Sequence, residues 1–439
     1  MTTAVATQTC APLARVSGDD LQVPLVQGGT TTYANFDYAA SAPALAQVTD
    51  RVQALLPFYA SVHRGAGYAS RISTECYEAA RGSVSRFLDA ADDQVVVFTR
   101  NTTDSLNLLA SCVPGDTVVL DIEHHANFLP WTRHGRRVVR AAGTLEETIR
   151  LLVAELCSKP AALLAVTGAS NVTGEVLPLE RLAQIAHQCG ARILVDAAQL
   201  APHRRISLRD TGIDYLAFSG HKLYAPFGAG VLVGRRDWLD QAEPYLAGGG
   251  AVREVGTTGA QWAAAPQRHE AGSPNVLGAA ALAAACDALC QIDPGTLIDH
   301  ERTLATRLCD GLDAIPGVTR LRLWTDSPDI VGIVAFTLDG FAPGEVAAYL
   351  SAEHGIGVRD GRFCAHPLLA RLGLDGALRA SVGLGTSAAD VDRLVRALAD
   401  LVTNGPAWQY AKTDGLWNPA PETRPFAADA NVGAAPCTI

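Results

Sequence analysis

The chain has 439 residues, 48% of them hydrophobic and 18% charged, and carries a net charge of −10. That length allows two or three domains with sizeable cores, and the absence of any basic run excludes the clustered cationic surface that a nucleic acid requires. Small-molecule chemistry is the reading that remains. The first 20 residues lack a charged region followed by an apolar core, and no apolar run reaches the roughly 20 residues that span a bilayer. No membrane partner is therefore expected, and the protein is placed in the cytoplasm. Ten cysteines are scattered without CxxC or Cys/His spacing, so neither a metal site nor a disulfide framework is expected, and most read as reduced core thiols.

In chain order, residues 1–41 form a short segment with no core of its own, expected to pack near a later, smaller domain. Residues 42–290 read as a large domain. Within it, "VVVFT" (95–99), "TVVLD" (117–121), "ALLAVTGAS" (162–170), "RILVDAAQ" (192–199), "DYLAFS" (214–219) and "GAGVLVG" (228–234) alternate with helical patterns. Such alternation predicts βαβ units, a mostly parallel sheet covered on both faces, and a ligand crevice beyond the carboxyl ends of its strands. After an Ala-rich helix beginning near Gly278, residues 291–403 read as a small α+β domain with strands in "VGIVAFTL" (331–338), "GIGVRDG" (355–361) and "LRASVGL" (378–384). From 404 to 439 Pro, Ala and Asp increase and periodicity vanishes, which predicts an extended or disordered tail.

The chemistry concentrates after strand ends. In "FSGHKLYAPFGAG", Lys222 follows a buried strand at the place where the crevice should lie. It is either a snorkelling surface residue or an amine in a partly desolvated pocket, where a lowered pKa makes it a nucleophile toward aldehydes. The second reading calls for the rest of a pyridoxal phosphate site. Asp196, closing "RILVD" one βα unit earlier, suits the pyridine nitrogen, although it also suits a helix cap. Gln199 is placed for the ring phenolate, and Ser219 and His221 for a phosphate. Thr102 and Thr103 of "RNTTDSLNLLA" open a helix whose free N–H groups favour an anion. His124 in "DIEHHANFLPW" can stack on a flat ring, and its adjacency to His125 disfavours chelation of one ion. Asn171 of "ASNVTGE" adds a neutral donor after a further strand.

The order of "FDYAA", "RNTTDSLNLLA", "EHHAN", "SNVTGE", "VDAAQ", "SGHKLYAPFGAG", "RHEAGSPN", "RDGRFCAHPL" and "LRASVGL", from about Phe36 to about Leu401, resembles the class V aminotransferase family of fold type I pyridoxal-phosphate enzymes. The resemblance is to its cysteine desulfurase and selenocysteine lyase branch. It implies a seven-stranded large sheet domain and a smaller α+β domain. By position it implies Lys222 as the Schiff-base lysine, Asp196 as pyridine partner, Gln199 as phenolate partner, His124 as ring-stacking residue, and Thr103, Ser219 and His221 as phosphate ligands. Arg379 of "LRAS" matches the arginine that forks onto the substrate α-carboxylate, with Arg359 and Asn171 beside the substrate. Ser273 of "EAGSPN" would reach the phosphate of the other subunit, which implies a homodimer with shared active sites.

Cys364 in "RDGRFCAHPL" occupies the position of the cysteine that takes sulfur as a persulfide, leaving alanine; the plainer alternative is a small buried residue. Arg359 and Arg362 are expected to favour its thiolate. Phe363 departs from the branch, which often carries histidine before the cysteine. The leading expectation is a dimeric desulfurase acting on a small cysteine-type amino acid, with a sulfur-acceptor protein as possible partner. The rivals are a C–S β-lyase or decarboxylating deaminase for S-substituted cysteines, with Cys364 a bystander, and a non-catalytic relay scaffold. The substrate side chain is expected to be gated by residues 59–73 and 248–267.

Overall fold

In the computed structural model, which describes residues 10–63 and 65–426, the β-branched runs form one seven-stranded sheet. Its strands are β1 (Gln94–Thr99), β2 (Thr117–Leu120), β3 (Arg136–Val139), β4 (Leu163–Thr167), β5 (Arg192–Asp196), β6 (Tyr215–Ser219) and β7 (Gly230–Arg235), in the spatial order β1-β7-β6-β5-β4-β2-β3. The pairs from β3 to β6 are parallel, and β7 runs antiparallel to both its neighbours. Six of these strands coincide with the expected runs. The seventh, β3, escaped them because an edge strand reading Arg-Arg-Val-Val and only partly buried lacks an apolar signature.

Both faces of the sheet are covered, which is why its central strands are nearly continuous apolar runs rather than alternating. Val118 and Leu120 of β2 pack with Leu164, Val166, Ile193 and Val195 on one face, against Ile149 and Leu152 of a helix α4 (Leu145–Ser158) and Leu182 of α5 (Leu179–Gln188). The intervening Val119, Leu163, Ala165 and Leu194 point the other way. They meet Leu106 and Leu109 of α3 (Thr102–Cys112). Two earlier helices, α1 (Ala46–Leu55) and α2 (Tyr68–Phe87), pack on the Ala-rich α6 (Val276–Gln291), whose small side chains allow close approach. No single described helix is long and apolar enough to cross a membrane.

A long helix α7 (Pro294–Asp313) leads into a second, antiparallel sheet. A hairpin, β8 (Val252–Gly256) and β9 (Gly259–Trp262), precedes α7. The second sheet has the order β10-β11-β13-β12, with β10 (Val318–Arg320), β11 (Ile333–Leu338), β12 (Arg359–Gly361) and β13 (Ala377–Ser381). Its helices α8 (Pro343–His354) and α9 (Ala388–Asn404) share with it a separate core of Leu308, Phe336, Tyr349, Leu394 and Leu398. Ala34 and Phe36 of the N-terminal segment belong to that core, and Ala34–Asn35 pairs in parallel with Ile356–Gly357.

The expected extended or disordered tail needs correction for its described part. Beyond α9 the chain forms a hairpin of β14 (Tyr410–Thr413) and β15 (Leu416–Pro419) laid on α8. Glu353 of α8 accepts hydrogen bonds from the N–H groups of Ala407 (3.1 Å) and Trp408 (3.0 Å) and from the Tyr410 hydroxyl (2.8 Å). This anchoring comes from a distant carboxylate, so local composition could not signal it. Residues 427–439 of the tail lie outside the described part.

Candidate active site

The carboxyl ends of β1, β2, β4, β5 and β6 surround a cavity of about 570 Å³. It is lined by Thr102, Thr103, His124, Asn171, Asp196, Gln199, Ser219, His221, Lys222, Arg359, Cys364 and Arg379, and therefore by every expected site residue except Ser273. The crevice predicted from strand order is where the cavity lies.

Lys222 projects from the turn that follows β6. Burial pushes its pKa down to about 8 against the opposing pull of Asp196. Asp196 itself ends β5 fully enclosed, which raises its pKa, and accepts the N–H of Ala198 at 3.0 Å. That bond is a local turn two residues on, so the alternative of a helix cap does not apply. Gln199 is buried and donates one N–H to the carbonyl of Ala39 at 2.7 Å, leaving its second N–H uncommitted by that bond.

His124 leaves β2 and accepts the N–H of Ala126 on Nδ1 at 3.0 Å, so the ring proton resides on Nε2. Burial and the nearby Lys222 hold its pKa down to about 4, which keeps the imidazole neutral at pH 7. Beneath it Glu123 accepts from Asn127 Nδ2 (2.7 Å) and from the N–H of Thr167 on β4 (3.1 Å). Its burial pushes the carboxyl pKa up to about 8. Glu123 therefore ties the His124 loop to the neighbouring strand.

One end of the cavity is built at the start of α3. Asn101, rather than either threonine, caps the helix by accepting the N–H of Asp104 at 2.9 Å. Thr102 donates its N–H to Ser219 Oγ at 2.7 Å, and the two hydroxyls lie 2.7 Å apart, fastening α3 to the end of β6. Thr103 and His221 line the cavity beside them. Gly230 explains the closeness of this junction: a Cβ there would stand 2.6 Å from Asn101 Cα.

The loop of Cys364 lines the same cavity as Lys222. Arg379, buried on β13, is held by Asp37 Oδ1 (3.0 Å) and by the carbonyl of Asn171 (2.9 Å), while its buried Nε has no partner among the described residues. Its guanidinium lies 5.2 Å from the centroid of Phe363. Asn171 donates to the Phe363 carbonyl at 2.7 Å, and His125 donates its N–H to the Cys364 carbonyl at 3.0 Å. Phe363 (φ +53°) and Cys364 (φ +51°) both sit in the left-handed region, costly for residues with a Cβ. Their backbone is thus kept in place from outside the loop. Cys364 is exposed and also lines an outer cavity of about 490 Å³ with His125, Leu129 and Arg133. Arg362, expected beside the thiol, instead donates to the carbonyl of Asp375 at 3.0 Å.

Ser273 lies apart, in a cavity of about 820 Å³ that includes Tyr59, His63, Gly250 and Glu270 from the two expected gating segments and their surroundings. Asp37, Glu123 and Asn101 were not singled out from the sequence. Asp37 and Glu123 stand inside the quoted motifs "FDYAA" and "EHHAN", which was the available signal; Asn101 is an ordinary cap signal ahead of "TTDS".

The Aminotransferase class-V family profile matches residues 34–394. Cysteine desulfurase CsdA of Escherichia coli is 38% identical over 363 residues, covering 79% of this chain and 89% of that protein. A probable cysteine desulfurase of Pseudomonas aeruginosa is 40% identical over 350 residues, with 77% and 86% covered. Among solved structures, the Escherichia coli enzyme superposes with a TM-score of 0.76 at 37% identity (84% of this chain, 96% of that one). The apo cysteine desulfurase of Thermococcus onnurineus gives 0.79 at 33% identity (88% and 98%). With the fold and the matched length in agreement, the chain belongs to the class V aminotransferase family of pyridoxal-phosphate enzymes.

Proposed function

We propose that this protein is a pyridoxal-phosphate-dependent cysteine desulfurase that takes sulfur from L-cysteine onto Cys364 and releases alanine. The observation that carries the reading is that Lys222 and Cys364 both line one cavity of about 570 Å³. The donor set fits the cofactor: an amine with a depressed pKa, a buried carboxylate, a neutral imidazole and a helix start converge there. When bound, the cofactor supplies an electron sink for charge developing at the substrate Cα.

Lys222 would hold the cofactor and move the proton at the substrate Cα, a task matched by a pKa near 8. Asp196 would keep the pyridine nitrogen protonated, and the remaining N–H of Gln199 would serve the phenolate oxygen. His124 would face the cofactor ring, its Nε2–H directed by the bond at Nδ1. Thr102, Thr103, Ser219 and His221 receive the phosphate. Arg379, braced by Asp37, offers its unpartnered Nε and remaining N–H groups to the substrate carboxylate, with Asn171 and Arg359 at its side. Cys364 attacks the substrate sulfur as a thiolate: an S–S bond forms, the C–S bond breaks, and the bonding pair stays with the carbon that becomes the alanine methyl.

Ser273, outside this cavity, is assigned to the phosphate of a partner subunit, which makes the active form a homodimer with shared sites. The outer cavity gives Cys364 a second face, suited to handing sulfur to the thiol of an acceptor protein. The cytoplasm is the proposed compartment, in keeping with nine described cysteines that are free.

Incubation of the holoenzyme with L-cysteine should yield alanine and a one-sulfur mass gain on the Cys364 peptide. Pyruvate and ammonia at an undiminished rate from Cys364→Ala would overturn the reading in favour of β-elimination.

A further inference from the structure

A second pair of sulfur nucleophiles meets at the opposite end of the large sheet. Cys157, exposed in the last turn of α4, and Cys189, which follows α5, bring their Sγ atoms to 3.1 Å although 32 positions separate them in sequence. A disulfide needs 2.03–2.05 Å, so a shift of about 1 Å joins them.

The contact is between two anchored helix ends rather than mobile loops. Gly190 in the left-handed region (φ +76°) closes α5, with Gly190 N–H bonded to the carbonyl of His187 (3.0 Å) and Ala191 N–H to that of Ala186 (2.8 Å). Arg137 of β3 braces the end of α4 through the carbonyls of Glu155 (2.5 Å) and Lys159 (2.9 Å). The hydrogen bond with Cys157, reinforced by burial, raises the pKa of Cys189, which keeps Cys189 the protonated member of the pair.

We propose that Cys157 and Cys189 are an oxidisable dithiol that a peroxide converts to a disulfide, stapling α4 to α5. The exposed Cys157 thiolate attacks a peroxide oxygen; the O–O bond breaks, hydroxide leaves, and sulfenic acid forms. Cys189 then attacks that sulfur; the S–O bond breaks, the oxygen leaves as water, and the S–S bond forms. Two thiols and one hydrogen peroxide become one disulfide and two waters. The pair sits where β4 and β5 begin, whereas Asp196 and the cavity lie where they end, about five residues or roughly 16 Å along the strands. The staple therefore forms without engaging Cys364.

The test is treatment of the full-length holoenzyme with one equivalent of hydrogen peroxide, followed by alkylation, non-reducing digestion and mass spectrometry. The expected result is a crosslinked peptide joining Cys157 to Cys189, two hydrogens lighter than the sum of its parts, while Cys76 remains alkylatable. Thermal unfolding should shift upward by a few degrees and return on dithiothreitol, and Cys157→Ser should lose both effects. Full alkylation of Cys157 and Cys189 after peroxide, or sulfinic acid on Cys157 without a crosslink, would overturn the proposal.

Discussion

The lysine turn and the cysteine loop line one cavity but are built on different principles. Lys222 follows a central strand and is framed by β5 and β6, so its placement depends on the sheet itself. Cys364 sits on a loop of the smaller sheet in an unfavourable backbone conformation and is held by Asn171, His125 and Arg379 from elsewhere. The first position is a product of strand order. The second depends on a few long-range contacts, which makes it the more adjustable half of the site.

The comparison can be broken most severely from the lysine side. Lys222→Ala should abolish the covalent cofactor absorbance and lower kcat on the order of 10⁴-fold; a retained band would remove this lysine from its role. Cys364→Ala should leave that absorbance intact while alanine formation falls about 10³-fold, equivalent to roughly 4 kcal/mol of barrier.

Titration sharpens the same contrast. The neutral amine is the reactive form, and Lys222 is held near pKa 8 rather than 10.5. Reaction of the apoprotein with pyridoxal phosphate should accelerate about tenfold between pH 7 and 9 and level off above that. A midpoint near pH 10 would mean that the pocket leaves the lysine solvated.

The smallest effect is expected at Asn171→Ala, which removes the 2.7 Å bond to the Phe363 carbonyl. Loss of one such bond, worth about 1 kcal/mol, should slow alanine formation several-fold and speed hydrogen exchange around Cys364. Lys222 should keep its absorbance. Equal disturbance of both regions would show that the loop and the turn are one unit.

The same division decides what could be read from sequence. Six strands, the crevice and most of its lining were legible because buried parallel strands are continuous apolar runs and their ends carry the polar residues. The edge strand β3 was not, since its arginines mask it, and neither was the clasped hairpin after α9. Phe363 was noticed as a departure, but its contact with Arg379 joins residues far apart in sequence and has no local signature. Arg362 was assigned to the thiol on proximity in sequence alone, and its bond to Asp375 instead turns on the fold of the loop.

Glu353 has a wider role than anchoring the hairpin. Besides Ala407, Trp408 and Tyr410 it receives Gln27 Nε2 at 3.2 Å, so one carboxylate fastens segments from both ends of the chain to α8. Loss of either segment frees bonding capacity on a group that the other also uses, so the two share one acceptor.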